Sequence, residues 1–257
     1  MANKVYADHP FQLLPTPTHQ LRDDEKADEF INAATQMACA HNVMIRSLNA
    51  IYIQAPHIRA EQQQPFLQFT ELWYRGVEHH HRTEDDIFFP VLEQMTGDKG
   101  IMQVNTKQHD AFLPDLEVFA GYVRRCLAGE AQYDGKELVR LIDRFGPALW
   151  QHLADEIPTF VALNKWGDTL KGFHARFAVE AQKTELELGI LAGAVFLMAT
   201  HDVDYEEGIH KNFPPIPAPV VWGLRNLAWW AHRDWWAFAP CDRSGKMRPL
   251  DIPSSKV

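Results

Sequence analysis

A histidine followed four residues later by a glutamate occurs twice in this sequence, at His80/Glu84 and at His152/Glu156. A single histidine precedes each pair in the chain, His41 before the first and His109 before the second. On an α-helix, residues four apart lie on one face about a turn apart, so each pair can present an imidazole and a carboxylate to one centre. Four imidazoles and two carboxylates suit a pair of first-row transition ions, which carboxylates can bridge. The pattern therefore predicts a di-iron site inside a four-helix bundle.

Apolar residues that recur every three or four positions predict four long helices. They are expected at about 23–54, 65–95, 101–128 and 136–165, with Asp23 and Asp24 as candidate caps of the first. The short connections between them make consecutive helices antiparallel neighbours. Prolines lie close to the predicted ligands and are expected to bend their helices, at Pro90, Pro114, Pro147 and Pro158.

The chain divides into three parts on this interpretation, and the predicted fold class is all-α. Residues 1–22 form an irregular N-terminal arm, 23–166 the four-helix bundle, and 167–257 a helical, aromatic-rich extension that packs on the bundle. The extension is predicted to contain a helix at 178–200 and an aromatic-rich helix at 220–238, which holds five of the eight tryptophans. A second interpretation of the aromatic helix is a lid over the metal site, which would shape a pocket for an organic substrate.

Composition excludes several classes of function. The net charge of −9 argues against nucleic acid as a partner and against anchoring to an anionic membrane surface. The longest apolar run, Ile190–Ala199, is about half the length that spans a bilayer, and the amino terminus lacks the apolar stretch of a signal peptide. Cys39, Cys126 and Cys241 are widely separated and indicate neither a disulfide framework nor a zinc ribbon. We therefore expect a cytoplasmic protein.

A purely structural role for the histidines, a ferritin-like site and a zinc site all fit this pattern less well. One histidine on an apolar helix face is most often a hydrogen-bonded core residue, but six buried, unpaired polar groups would cost several kcal/mol each. Ferritin-like di-metal sites use Glu-x-x-His pairs with lone glutamates on the other helices, whereas the lone positions here are histidines. Zinc favours three or four ligands at one ion, so six ligands on four helices fit it poorly.

Several neighbouring polar residues are secondary candidates. His79 and His81 flank His80 and point about 100° to either side on a regular helix, so we expect them to be solvated or to support the ligands. Three aspartates adjoin predicted ligands and could orient an imidazole, although a solvated face is the expectation for each: Asp85, Asp110 and Asp155. A second cation site is conceivable at His201, Asp202, Asp204 and Glu207, whose spacing does not fit an EF-hand.

The order and spacing of the six predicted ligands resemble the hemerythrin-like, or HHE cation-binding, family. The stretch Glu78–Pro90 is similar to the family's helix-two motif, and the resemblance covers about residues 28–165. It implies two iron ions joined by an oxo or hydroxo bridge, with Glu84 and Glu156 bridging and the four histidines terminal. Manganese or a mixed pair would suit the same donors.

One departure from the oxygen-carrying members of that family bears on function. Those members have a further histidine four residues after the third-helix ligand, where this chain has Leu113. One nitrogen fewer predicts an open coordination position and an O2-dependent oxidase or oxygenase that acts on a small organic molecule, with no catalytic residues beyond the metal ligands. The alternative is a protein that binds or senses O2, nitric oxide or iron, or repairs iron centres, without turnover. The sequence does not indicate an oligomeric state.

Overall fold

The computed structural model describes residues 4–173 and 190–253, and these contain helices and no β-strand. The α-helices are α1 (Glu29–Gln54), α2 (Gln63–Thr83), α3 (Phe89–Thr96), α4 (Gln103–Leu127), α5 (Gly135–Ala162), α6 (Ile190–Thr200) and α7 (Ala218–Asn226). A π-helical segment, Glu84–Phe88, joins α2 to α3. Short 3-10 helices lie at Ala55–His57, Ala60–Gln62, Leu163–Leu170, Tyr205–Gly208, Ala228–His232 and Trp236–Phe238. The predicted all-α class is confirmed.

The bundle has four helical segments. They are α1, the continuous segment of α2 and α3, α4, and α5. In the described core, α4 packs against α5 and α2, while α1 packs against α5 and α2. Large side chains fill the interior, among them Trp73, Phe112, Phe119 and Phe145, and none of these exceeds 1% exposure. The first helix starts later than predicted, because the carboxylate of Asp28 caps it by accepting from the backbone N–H of Phe30 and of Ile31. Asp23 and Asp24 precede the helix.

The second predicted helix is interrupted by the π-helical segment. In a π-helix the backbone bonds run from i+5 to i, and here the N–H of Phe89 donates to the carbonyl of Glu84. The extra residue changes which side chains face inward after Glu84. Ile87, which the periodicity places in the core, is 37% exposed, whereas Phe88 and Phe89 are buried.

The prolines do not end the helices in which they lie. Pro114 is inside α4, and Pro147 and Pro158 are inside α5. Pro90 lies in the first turn of α3, where its missing N–H leaves no intrahelical bond unmade.

The N-terminal arm lies along α1 and is fastened by two buried asparagines. Asn42 donates to the carbonyl of Leu14 and accepts from its N–H, at 2.8 and 2.7 Å. Asn49, two turns further along α1, does the same for Phe11, at 2.8 and 3.0 Å. Because these amides pair with backbone on both sides, the arm is held without regular structure of its own.

The described part of the extension contacts α1 and α2. The ring of Phe196 on α6 lies 5.4 Å from that of Phe69, and the ring of Phe238 lies 5.2 Å from that of Phe66. The amide of Gln54 donates to the carbonyl of Phe238 at 2.9 Å. The first part of the predicted 178–200 helix lies outside the described residues, and Ile190–Thr200 is helical as expected.

The prediction of one helix over 220–238 is wrong. An α-helix ends at Asn226, and Leu227 separates it from the 3-10 turns that carry the later tryptophans. None of the described helices is both long and apolar enough to cross a lipid bilayer.

Candidate metal centre

The antiparallel helices bring the four predicted histidines into one layer of the core. The Nε2 atoms of His41 on α1 and His80 on α2 are 3.2 Å apart, and those of His109 on α4 and His152 on α5 are 3.1 Å apart. His80 is 17% exposed and the other three are buried. The layer therefore consists of two imidazole pairs, each made by two helices.

The two predicted carboxylates lie beside these pairs. Glu84 reaches both, with Oε1 at 2.9 Å from Nε2 of His80 and Oε2 at 3.6 Å from Nε2 of His109. Glu156 places Oε2 at 3.3 Å from Nε2 of His41. Both carboxylates are fully buried. A carboxylate with one oxygen at each imidazole pair has the placement of a bridging ligand, and Glu84 meets this description.

A fifth imidazole, that of His81, lies at the cluster. His81 is fully buried, and its ring lies 4.8 Å from that of His109 and 5.1 Å from that of His152. One nitrogen of His81 lies within 4.8 Å of donor atoms of Glu84, His109 and His152. Of the two expectations for His81, solvated or supporting the ligands, the first is wrong, because α2 lies between α1 and α4, so that His80 faces α1 while His81 faces α4. His79 is buried as well.

Hydrogen bonds at the outer ring nitrogens fix the orientation of these imidazoles. Nδ1–H of His41 donates to the carbonyl of Leu153 at 2.9 Å, and Nδ1–H of His81 donates to that of Val77 at 2.8 Å. Since a carbonyl can only accept, the proton must be on Nδ1, which leaves Nε2 with a free lone pair. Both Nε2 atoms face the cluster, in the form that a metal ion requires.

The second imidazole pair is oriented in the same way by side chains. Nδ1–H of His109 donates to Oδ2 of Asp85 at 2.9 Å, and Nδ1–H of His152 donates to Oε1 of Gln108 at 3.2 Å. Gln108 is in turn held by Oδ2 of Asp155 at 2.8 Å. Asp85 therefore orients the imidazole of His109 directly, and Asp155 orients that of His152 through Gln108, which is the less expected of the two roles that the sequence offered them. Gln108 has no sequence pattern that could have revealed its role.

The cluster's own chemistry fits a bound cation. The Nε2 atoms of His109 and His152 both carry lone pairs and are 3.1 Å apart, an arrangement that repels unless a positive charge lies against it. Neither carboxylate oxygen of Glu84 or Glu156 has a hydrogen-bond partner, nor has Nε2 of His81. Native structures rarely leave so many buried polar atoms unpaired. Metal coordination would satisfy all of them at once.

Burial shifts the protonation equilibria in the direction that suits metal binding by imidazole. Desolvation lowers the pKa of His80, His81 and His152, and the neighbouring histidines lower it further. These rings are therefore neutral and able to coordinate near pH 7. Desolvation raises the pKa of Glu84, and the nearby Glu156 and Asp85 add to this effect. A cation would reverse the shift at Glu84 by favouring its charged form.

The structure separates the residues of the conceivable second cation site. The ring of His201 donates to the carbonyl of His210, and Asp202 lies 3.8 Å from Arg46. Asp204 pairs with Lys246 at 3.2 Å and Glu207 with His19 at 3.0 Å. Each group has its own partner, so the four do not share a centre. Asp110 is exposed, as expected for a solvated face.

Leu113 lines a groove between α2 and α4, one turn after His109. The groove has a volume of about 340 Å³, and its wall combines apolar and acidic side chains. Its lining residues are Tyr74, Glu78, Asp110, Leu113, Pro114, Leu116 and Glu117. His81 also lies beside His109 and His152, from the neighbouring helix.

Comparison with known proteins agrees with the helix order and the donor set. Residues 32–162 match the family model described as the hemerythrin HHE cation-binding domain. The chain belongs to this family. A relative is the "Dimeric xanthone biosynthesis cluster protein R11" of Cryptosporiopsis sp. (strain 8999), with 32% identity over 249 residues that cover 94% of this chain and 90% of the relative. No solved structure matches the chain.

The hemerythrin-like core thus carries a cluster with the donors of a di-metal site. His41, His80, Glu84 and Glu156 form one group of donor atoms, and His81, Glu84, His109 and His152 form a second, with Glu84 common to both. Two redox-active ions held in these groups would supply electrons to a small oxidant such as O2. The protein supplies the fixed imidazole orientation, the shared carboxylate and an apolar surround.

Proposed function

We propose that this protein is a non-haem di-iron protein that binds and activates O2 and uses it to oxidise a small organic molecule. The observation that carries the proposal is the arrangement of the two imidazole pairs, with one carboxylate oxygen of Glu84 beside each pair. In this assignment His41 and His80 would hold one ion and His109 and His152 the other, and Glu84 and Glu156 would be the carboxylate ligands that the pair shares. Mixed imidazole and carboxylate donors suit iron, and manganese or a mixed pair would be accepted by the same set.

The relative's role in a biosynthetic cluster supports an organic substrate. That protein is named for dimeric xanthone biosynthesis, and the shared identity extends over nearly the whole of both chains. We infer that the substrate here is an aromatic molecule of comparable origin. The groove beside Leu113 is a candidate entrance, since its volume of about 340 Å³ is at the lower end of the range for small-molecule sites. The carboxylate of Asp110, which also lines the groove, favours a substrate that donates hydrogen bonds through hydroxyl groups.

A second candidate function is reversible binding of O2 or nitric oxide without turnover. The observation that favours it is His81, which gives the cluster five imidazoles, the number that the oxygen-carrying members have. If all five coordinate, no additional open position follows from Leu113. The two candidates share the metal site and differ in whether a bound molecule is consumed.

Metal analysis followed by O2 uptake separates these functions. Protein loaded anaerobically with Fe²⁺ should retain two ions per chain with the Mössbauer parameters of a coupled pair, and His109→Ala should retain fewer. His57→Ala, on an exposed turn, is the matched control and should retain both. O2 consumption that rises with an added aromatic phenol, and yields an oxidised product, supports the enzyme. Reversible uptake that no such compound alters supports the carrier, and a wild-type chain that holds no iron or manganese contradicts both.

A further inference from the structure

A buried asparagine one turn from His109 has no hydrogen-bond partner. Asn105 is 1% exposed, and neither its Oδ1 nor its Nδ2 makes a hydrogen bond. A buried amide left unpaired destabilises the folded state, so native proteins seldom keep one without a use for it. Two other buried asparagines, Asn42 and Asn49 on α1, are both paired: each donates a hydrogen bond to the backbone of the N-terminal arm and accepts one from it.

The level of Asn105 in the bundle follows from helix direction. Helices α2 and α5 run antiparallel to α1 and α4. A residue four positions after the histidine on α2 or α5 therefore lies at the same height in the bundle as a residue four positions before the histidine on α1 or α4. The positions at this level are Glu84 after His80, Glu156 after His152, Asn105 before His109, and Met37 before His41. All four side chains are buried. Asn105 is therefore the neutral polar member of the layer that carries both carboxylates.

Its chemistry suits a ligand that arrives from outside the protein. The cluster is rich in acceptors, with four carboxylate oxygens and the Nε2 lone pairs, whereas Asn105 brings two N–H donors. A donor in a dry site stabilises negative charge on a neighbouring ligand more than it would in water. Leucine would fill the same volume without an unpaired amide, so packing alone does not explain the residue.

We propose that Asn105 donates a hydrogen bond to a small anionic ligand of the di-metal centre, of two or three atoms, and so sets the affinity of the centre for that class of ligand. The inference rests on the proposed function, because it needs the metal pair. It adds a residue outside the metal-binding set that recognises the exogenous molecule.

Azide is the probe, and Asn105→Leu is the variant that removes the donor while keeping the side-chain volume. In the iron-loaded protein, the azide charge-transfer absorption gives the dissociation constant directly. We expect Asn105→Leu to weaken azide binding about tenfold or more, because hydrogen bonds to charged groups are the strong ones. Met37→Leu, an apolar exchange at the same level, should change the constant less than about twofold.

A second measurement excludes a merely structural role. The metal-free Asn105→Leu protein should unfold at the same temperature as wild type or higher, since the variant loses no native hydrogen bond. A lower unfolding temperature, or an azide affinity equal to that of wild type in a variant that retains two iron ions, would overturn the inference and leave the proposed function intact. A wild-type protein that takes up no metal overturns both.

Discussion

Replacing Glu84 by glutamine should stabilise the metal-free protein at neutral pH, although it removes a central ligand. The carboxylate is fully buried and neither oxygen accepts a hydrogen bond. Desolvation, with the nearby Glu156 and Asp85, raises its pKa well above the ordinary 4.5. The folded chain therefore holds a proton on Glu84 at pH values where the unfolded chain has released it.

The size of the effect follows from that difference in pKa. A raised pKa in the folded state lowers stability as the pH rises above 4.5, by about 1.4 kcal/mol per pH unit, until the folded-state pKa is reached. The cost at pH 7 has an upper limit of about 3.4 kcal/mol, which is this slope taken over the whole interval from pH 4.5 to 7. Glutamine carries no proton to release, so Glu84→Gln should stabilise the metal-free protein at pH 7, by up to about 3.4 kcal/mol, and by almost nothing at pH 4.5.

Urea unfolding in the presence of a chelator measures this, at several pH values between 4.5 and 7. Glu78→Gln, on the same helix with 39% of its side chain exposed, is the control and should leave stability within about 0.5 kcal/mol of wild type. With metal added the order should reverse, because wild type gains stability by binding ions and the Glu84 variant gains less. A metal-free Glu84→Gln protein that is less stable than wild type at pH 7, or an advantage that does not grow with pH, would refute the reasoning.

Three further results are expected. Gln108→Leu should weaken metal binding about 10- to 100-fold in chelator competition, because His152 loses the acceptor that fixes its ring, while Gln103→Leu, at an exposed position of the same helix, should not. His81→Leu should leave one of the two ions more weakly held in the same competition, and equal retention of both would exclude His81 as a ligand. The metal-free protein should also lose stability as the pH falls below 6.5, by about 1.4 kcal/mol per pH unit for each of His80, His81 and His152, whose lowered pKa values leave protons to bind only on unfolding. Urea midpoints in the Glu84→Gln background isolate this effect, and midpoints that stay constant between pH 6.5 and 5 would contradict it.

Much of the fold follows from the sequence because helical periodicity is a local property. The apolar stripe of the first helix and Pro56 after it predict the end of that helix correctly, at Gln54. The spacing of His80 to Glu84 and of His152 to Glu156 predicts a shared face, and the structure brings both pairs into one cluster. These inferences need only the geometry of a single helix.

The remainder depends on neighbours that no local pattern describes. His81 is 100° from His80 on the helix, and only the position of α4 decides whether that direction is solvent or core. The π-helical segment closes its backbone hydrogen bonds over one more residue than an α-helix does. The same sequence would therefore bury Ile87 in an α-helix, whereas the π-helical segment exposes it. The α-helix after Val220 ends at Asn226, and the buried Trp229 and Trp236 lie on the 3-10 turns that follow, where the indole N–H of Trp236 donates to the carbonyl of Trp229.

Hydrogen bonds from residues 205 and 206 to the N-terminal arm have a consequence for the use of the four-helix bundle as an isolated fragment. Glu206 accepts from both the backbone N–H and the hydroxyl of buried Thr16, and the hydroxyl of Tyr205 donates to the carbonyl of Leu14. A recombinant fragment that stops at residue 166 would lose these anchors and would also uncover Phe66 and Phe69. We expect such a fragment to aggregate through its exposed aromatic side chains. Point substitutions are therefore a better way than truncation to measure the contribution of the C-terminal region to stability and metal binding.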